Sequence, residues 1–207
     1  MRRANDALLV VDVQNDFLPG GALAVARGDE ILPLVNRIGA RFAVVVLTQD
    51  WHPAGHASFA SSHPGKRPFQ TIRLPYGEQI LWPDHCVQGS AGAAFAAGLD
   101  LPHAQAVIRK GHHRKVDSYS AFLEADRKTK TGLDGYLESR GVTRVFCVGL
   151  ATDYCVAWTA LDARRFGLQA AVIEDACRAI DTDGSLEAAW KAMQKAGVRR
   201  LSSASVR

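Results

Sequence analysis

Residues 144–167 read R-V-F-C-V-G-L-A-T-D-Y-C-V-A-W-T-A-L-D-A-R-R-F-G, and this stretch decides the fold. Residues 145–148 form a continuous apolar run with β-branched members, the pattern of a strand buried on both faces. Gly149 ends the run. Thr152 and Asp153 are N-cap types, and residues 156–166 carry a helical mix of Ala, Leu and Arg. A strand, a tight turn and a helix put Cys155 in the first helical turn. Unpaired N–H groups and the positive end of the helix dipole favour a thiolate there. The same N–H groups suit a developing oxyanion. A cysteine at such a position is also a good small core residue, so the rest of the chain has to decide between the two readings.

Outward from this unit the chain alternates strands and helices. Residues 106–110 predict a strand ending at Lys110, and 131–140 a helix closed by Gly141. Downstream, 168–174 predict a strand, 185–196 a helix and 198–201 a last short strand. Near the start, 6–13 predict a strand with Leu8, Leu9, Val10 and Val11 as its core and Asp12 at its end. A Pro-Gly turn region at 17–21 precedes a helix over 29–40, with Ile31, Leu34, Val35 and Ile38 at helical spacing. Residues 42–48 predict a second buried strand, running into Gln49-Asp50-Trp51-His52. Residues 53–82 are rich in Pro, Gly, Ser and His without a sustained period, and a loop of that length is usually functional. Residues 91–97 predict a short helix. The expected architecture is a three-layer αβα fold around a doubly wound, mainly parallel sheet of about six strands. In such folds ligands bind beyond the carboxyl ends of the strands. Asp12, Asp50, Lys110 and Cys155 all fall there.

The chain has 207 residues, 47% hydrophobic and 22% charged, with a net charge of +4. That is ordinary globular composition and predicts one domain over 1–207. The Met1-Arg2-Arg3 start is followed by no apolar segment of signal-peptide length, and no run reaches a membrane span. Cys86, Cys147, Cys155 and Cys177 form no C-x-x-C pair, which predicts reduced thiols and a cytoplasmic protein. The basic clusters at 109–115 and 127–130 lack interleaved aromatics and read as solvated surface, so no nucleic-acid partner is expected. His112 and His113 lie in the first of them and read as exposed.

Three groups of residues carry chemistry. In Asp12, Lys110 and Cys155, the carboxylate is a base for the thiol and the ammonium stabilises the thiolate. A plain Asp–Lys ion pair is the alternative. In Asp50, His52, His56 and His85, one carboxylate and distant imidazoles make a donor set for Zn, Fe or Mn with a position left for water or substrate. Phe17, Trp82 and Tyr119 each lie near one of these candidates and are suited to sandwich a flat ring.

Five blocks carry a resemblance: V-D-V-Q-N-D-F-L-P-G-G-A-L (11–23), T-Q-D-W-H-P-A-G-H-A-S-F-A (48–60), W-P-D-H-C-V-Q-G-S (82–90), K-G-H-H-R-K-V-D-S-Y-S-A-F (110–122) and V-G-L-A-T-D-Y-C-V (148–156). In these, in order along nearly the whole chain, the sequence resembles the nicotinamidases of the isochorismatase-like cysteine hydrolase family. The resemblance implies a catalytic triad of Asp12, Lys110 and Cys155. It implies one divalent metal ion (Zn, Fe or Mn) on Asp50, His52 and His85, with His56 as a further ligand or a donor behind them. It implies ring-binding roles for Phe17, Trp82 and Tyr119, and a cis peptide between Leu150 and Ala151 that aims the N–H groups of Ala151 and Cys155 at the substrate oxygen. The implied activity is hydrolysis of nicotinamide to nicotinate and ammonia in pyridine nucleotide salvage, with pyrazinamide as a second substrate. No protein partner is needed for that chemistry, and a homo-oligomer is compatible with it. A related amidase acting on a carbamoyl or ureido substrate would keep the triad but has no use for the metal trio. An isochorismatase needs no thiol, and a non-catalytic metal-binding module leaves Cys155 and Lys110 without a task.

Overall fold

In the computed structural model, which describes residues 5–206, the apolar run after Asn5 forms β1 (Asp6–Val11), buried at every position. The Met1-Arg2-Arg3 start lies outside those residues. Leu8 and Val10 enter one core cluster while Ala7, Leu9 and Val11 enter another. Side chains alternate across a strand, so an apolar residue at every position means that both faces are covered. The chain continues through α1 (Leu32–Gly39), β2 (Val44–Asp50), a small antiparallel hairpin of β3 (Thr71–Leu74) and β4 (Gly77–Ile80), and β5 (Ala106–Lys110). It then forms α2 (Leu133–Ser139), β6 (Arg144–Leu150), α3 (Ala157–Arg165), β7 (Gln169–Arg178), α4 (Ser185–Lys195) and β8 (Arg199–Leu201).

The main sheet has the order β5-β2-β1-β6-β7-β8 with every pair parallel. The α1 side chains Val35 and Ile38 cover one face. Leu133 and Leu137 of α2, Ala160 and Ala163 of α3, and Ala189 and Met193 of α4 cover the other. These three layers are the expected αβα arrangement. The strand order reverses direction between β1 and β6, so the rim at their carboxyl ends opens there into a crevice. No helix among the described residues is long and apolar enough to cross a membrane.

The elements differ from the sequence reading in four places. β6 does not stop before Gly149 but runs to Leu150, and β7 runs to Arg178. The pairing between them shifts register between Cys147 and Gly149, whose partners Val172 and Cys177 lie further apart along β7, so the extra residues bulge out of β7. The 53–82 segment contains the β3–β4 hairpin, whose half-exposed strands are so short that the alternation of Thr71, Ile72, Arg73 and Leu74 does not stand out from the loop around it. Residues 91–97 are not helical. Their backbone instead pairs with the segment after β1, through Asn15 N–H to Ala94 O (3.0 Å), Asp16 N–H to Gly92 O (3.0 Å) and Ala96 N–H to Val13 O (3.0 Å). Tertiary pairing has overridden alanine's helix propensity.

The fourth difference concerns Cys155. A π-helical turn, Thr152–Val156, precedes α3, and Val156 N–H bonds back to Ala151 O (3.1 Å). Asp153 does not cap this turn. Its carboxylate accepts from the Ile180 N–H (3.1 Å), the Asp181 N–H (2.8 Å) and the Ser185 hydroxyl (2.5 Å), tying the turn to the start of α4. A π turn interrupting a helix is uncommon and recurs at functional sites.

Gly149 is fixed by two constraints. Its φ is +115°, and a Cβ there would lie 2.1 Å from Val11 O in the neighbouring strand. Gly149→Ala therefore combines left-handed strain with a backbone clash between β1 and β6. The expected cost is at least about 2 kcal/mol, read as a lowered midpoint in urea unfolding; a midpoint unchanged from the parent contradicts this packing.

Candidate active site

Four strand ends deliver the charged and nucleophilic groups. Asp12 follows β1 with φ +47°, a left-handed conformation unusual for a residue with a Cβ. Its position is fixed by Thr48 of β2. The Asp12 N–H donates to Thr48 Oγ1 (3.1 Å), and the Thr48 hydroxyl donates to Asp12 Oδ1 (2.6 Å). Asp50 and Lys110 are register partners at the ends of β2 and β5. Cys155 sits in the π turn after β6, and the Leu150–Ala151 peptide before that turn is cis.

Lys110 is fully buried and reaches all of them. Its Nζ lies 2.8 Å from Asp12 Oδ2, 2.7 Å from Asp50 Oδ1, 3.0 Å from Ser118 O and 3.4 Å from Cys155 Sγ. The sulfur and one oxygen from each carboxylate lie within 4.8 Å of one another. Asp12 Oδ2 is thus ion-paired with Lys110 and borders the Cys155 sulfur, which places this carboxylate to exchange a proton with the thiol.

Charge balance in this dry cluster sorts the protons. Burial opposes the Lys110 ammonium, but Asp12, Asp50 and Cys155 outweigh it and push its pKa well above the usual lysine value. Burial also opposes ionised Asp50, yet Lys110, His52 and His85 hold it well below the usual carboxylate range. Asp12 has the same ammonium but no imidazole, and it feels the Asp50 charge. Burial therefore wins, and its pKa is raised. The Cys155 thiol is pushed well up by burial; Lys110 counters this, while Asp12 and Asp50 add to it. The resting thiol thus keeps its proton beside a carboxylate able to accept it. Burial likewise raises Cys147, to about 12, and holds Cys86 and Cys177 protonated. Among the described cysteines, Cys155 alone has an ammonium within hydrogen-bonding distance.

Beside this cluster, three donors turn to one point. The His52 Nδ1–H donates to Gly111 O (2.9 Å) and the His85 Nδ1–H to Pro83 O (2.8 Å). Each imidazole therefore turns Nε2 toward Asp50 Oδ2, at 3.3 Å and 3.5 Å respectively; burial opposes a charged His52, but Asp50 outweighs it and raises the His52 pKa. Two imidazole nitrogens and a carboxylate oxygen turned to one point fit a divalent cation, which would replace the proton they otherwise share, and leave room for further ligands. Gly111 is required at its position, since a Cβ would come within 2.4 Å of His52 Cε1. His56 is differently placed. Its Nε2–H donates to His113 O (3.1 Å) and Val116 O (3.2 Å), and its Nδ1 accepts from Ser58 Oγ (2.7 Å). Its ring centroid lies 4.3 Å from that of His52 at a tilt of 35°, and with His52 and Asp117 it forms a second grouping of metal-capable atoms.

A narrow recess of about 320 Å³, its mouth included, joins the two clusters. Phe17, Trp82 and Tyr119 line it, together with Ala151, Cys155, Asp50, His52 and His85. Trp82 Nε1–H donates to the Tyr119 hydroxyl (2.9 Å), which fixes both rings. A wider open groove beside α4, lined by Glu174, Arg178, Trp190 and Arg200, holds none of these groups.

Several residues of the site escaped the sequence reading. Tyr154 lines the recess and meets Trp82 edge-on at 4.9 Å; its place beside Cys155 was the available signal. Gln14 clamps Asp50 through its backbone, accepting from the Asp50 N–H (2.8 Å) and donating to the Asp50 carbonyl (2.9 Å). Asp117 is buried in the recess wall and accepts from Gln79 Nε2 (2.8 Å). Both lie inside blocks quoted for the resemblance, but nothing in their spacing marked them.

A doubly wound parallel sheet with this rim defines an isochorismatase-like hydrolase. The chain belongs to the isochorismatase family: the model of the isochorismatase domain matches residues 6–205. It is 60% identical over 207 residues to a nicotinamidase of Acinetobacter baylyi, covering all of this chain and 97% of that one. A solved nicotinamidase/pyrazinamidase of Acinetobacter baumannii superposes with a TM-score of 0.99 at 57% identity, with complete coverage of both chains. The pyrazinamidase of Pyrococcus horikoshii, solved in complex with zinc, superposes with a TM-score of 0.79 at 36% identity, covering 96% of this chain and 99% of that one.

The electrostatics yield a signed expectation for the thiol. Asp12 raises the Cys155 pKa and Lys110 lowers it. Alkylation by iodoacetamide across pH should show a lower apparent pKa in Asp12→Asn and a higher one in Lys110→Ala, each relative to the parent. A higher value in the Asn variant would mean that Asp12 and the thiol share one proton as a pair.

Proposed function

We propose that this chain hydrolyses nicotinamide to nicotinate and ammonia, and pyrazinamide likewise, with Cys155 as the nucleophile. The observation that carries the reading is the meeting, around one aromatic recess, of a thiol, a buried ammonium and a carboxylate with the metal-capable trio Asp50, His52 and His85. The similarity to nicotinamidases over the full chain points to the same substrate.

In the first half-reaction Sγ attacks the carboxamide carbon and its proton passes to Asp12 Oδ2. The Ala151 and Cys155 N–H groups hold the oxyanion, and Lys110 offsets the charge gathering around it. Asp12 returns the proton to the nitrogen as the C–N bond breaks, releasing ammonia and leaving a thioester. Water then gives a proton to Asp12 and attacks the thioester carbon. Nicotinate leaves, and the proton returns to the sulfur. A raised carboxyl pKa suits a group that must both take and return a proton.

Asp50, His52 and His85 are the residues to hold the metal. When bound, it supplies a Lewis acid that anchors the ring nitrogen. Zn, Fe and Mn all suit this donor set, and the zinc-bound relative favours zinc. Phe17, Trp82 and Tyr119 hold the ring flat so that its carboxamide faces Cys155. Pyrazinamide differs by one ring atom, and a slot of this kind discriminates poorly between such isosteres. A carbamoyl or ureido substrate has no ring nitrogen to meet the metal side. Four buried thiols and few polar outlets agree with a reducing compartment, and we place the protein in the cytoplasm on that basis.

Cys155→Ala should lower ammonia release from nicotinamide by at least about 10³-fold while leaving far-UV circular dichroism and metal content as in the parent. Cys86→Ser, Cys147→Ala and Cys177→Ala should each keep most of the activity. Substantial turnover by Cys155→Ala, or its complete loss at one of the other three, would assign the nucleophile elsewhere.

A further inference from the structure

Outside the recess, one cluster has the composition of a metal site and no part in the amide chemistry. His112 and His113 follow Gly111 at the end of β5, and Glu124 stands in the turn they face. His113 Nδ1 lies 2.7 Å from Glu124 Oε1, and the two imidazole rings are 4.2 Å apart. One ligand atom from each of the three residues lies within 4.8 Å of the others.

Glu124 is the unusual member. It is only 2% exposed, yet its second oxygen, Oε2, meets no donor. Buried carboxylate oxygens are normally paired, and an orphan one calls for an explanation such as an ion. The turn that carries it is rigid. The Glu124 N–H donates to Thr129 O (2.9 Å), and its carbonyl accepts from the Arg127 N–H (2.9 Å). Both histidines are exposed, so their side chains have room to turn toward a common centre. Two imidazoles and one carboxylate, with the remaining position open to water, are a zinc donor set.

The charges around the cluster set its strength. Arg114 and Lys115 follow the histidines in the chain and oppose a cation. Asp126 stands near Glu124, and Arg127 is already paired with Asp162. A site so flanked binds more weakly than the buried donors in the recess.

We infer that His112, His113 and Glu124 form a second, solvent-facing site for a divalent cation of the zinc type. An ion there ties the segment leaving β5 to the 124–129 turn. The same segment supplies the His113 and Val116 carbonyls that hold His56 against His52, so the cation braces the wall behind the recess from outside. This inference stands apart from the amidase reading, because none of its three ligands touches the recess.

The test uses the purified holoprotein, dialysed against graded Zn²⁺, with bound metal measured by elemental analysis and binding followed by calorimetry. The parent should take up a second, weaker equivalent, and thermal unfolding should shift upward as that equivalent fills. Glu124→Gln and His112→Ala should each lose the second equivalent and the thermal shift while keeping the first equivalent and the parent rate of nicotinamide hydrolysis. His112→Ala removes an exposed side chain, so it folds even if the glutamate variant does not. His85→Ala should show the opposite pattern, losing the tight equivalent and keeping the weak one. Saturation of the parent at one equivalent overturns the proposal. So does a second equivalent that survives either ligand substitution.

Discussion

Everything on the rim depends on one buried cation. Lys110 has no exposed surface, and its Nζ lies within 3.4 Å of two carboxylates and a thiol. Removing an ammonium from water costs several kcal/mol, and only close opposite charges with good geometry offset it. Asp12 and Asp50 supply those charges. In return the lysine lets two carboxylates occupy a dry rim where they would otherwise repel each other. The two halves proposed for the site, nucleophilic and metal-binding, are therefore not separate devices. They share a counter-ion, and the register pairing of Asp50 with Lys110 on neighbouring strands holds the shared part rigid.

The same sharing makes the two carboxylates unequal. Asp50 has Lys110 and two imidazoles around it, which hold its carboxyl well below the usual range, as the metal-binding role proposed for it requires. Asp12 is buried with Lys110 and the Thr48 hydroxyl but no imidazole, and it faces the Asp50 charge, so its pKa is raised. Two residues of one type on adjacent strands are given different work by what stands next to them. His52 and His85 follow the same logic: each spends its Nδ1–H on a backbone carbonyl and so presents Nε2 to the metal side.

Much of this was legible in the chain. Continuous apolar runs marked the buried strands, and reactive residues just past their ends marked the rim, because a doubly wound sheet gathers those ends in one crevice. Asp12, Asp50, Lys110 and Cys155 were found in this way. Tertiary pairing hid the rest. Residues 91–97 have helical composition but spend their backbone bonds on the segment after β1. The turn at Cys155 winds as a π-helix, with Asp153 committed to the start of α4 instead of to a cap. Gln14 and Asp117 act through single contacts with groups far along the chain, and no periodicity records such contacts. His112 and His113 read as surface because their partner, Glu124, is identified only by its burial in the fold.

The central claim is that Lys110 is the counter-ion on which the carboxylates depend, and a double-mutant cycle measures it directly. Equilibrium unfolding is compared for the parent, Lys110→Met, Asp12→Asn and the double variant. Breaking a buried ion pair from one side costs about 3–5 kcal/mol because it strands the remaining charge. Lys110→Met should show a loss of that order, and adding Asp12→Asn should restore a large part of it, since one stranded carboxylate is then gone. If the two substitutions instead lower stability by independent amounts that simply sum, the buried ammonium and Asp12 are not coupled, and the account of the rim fails.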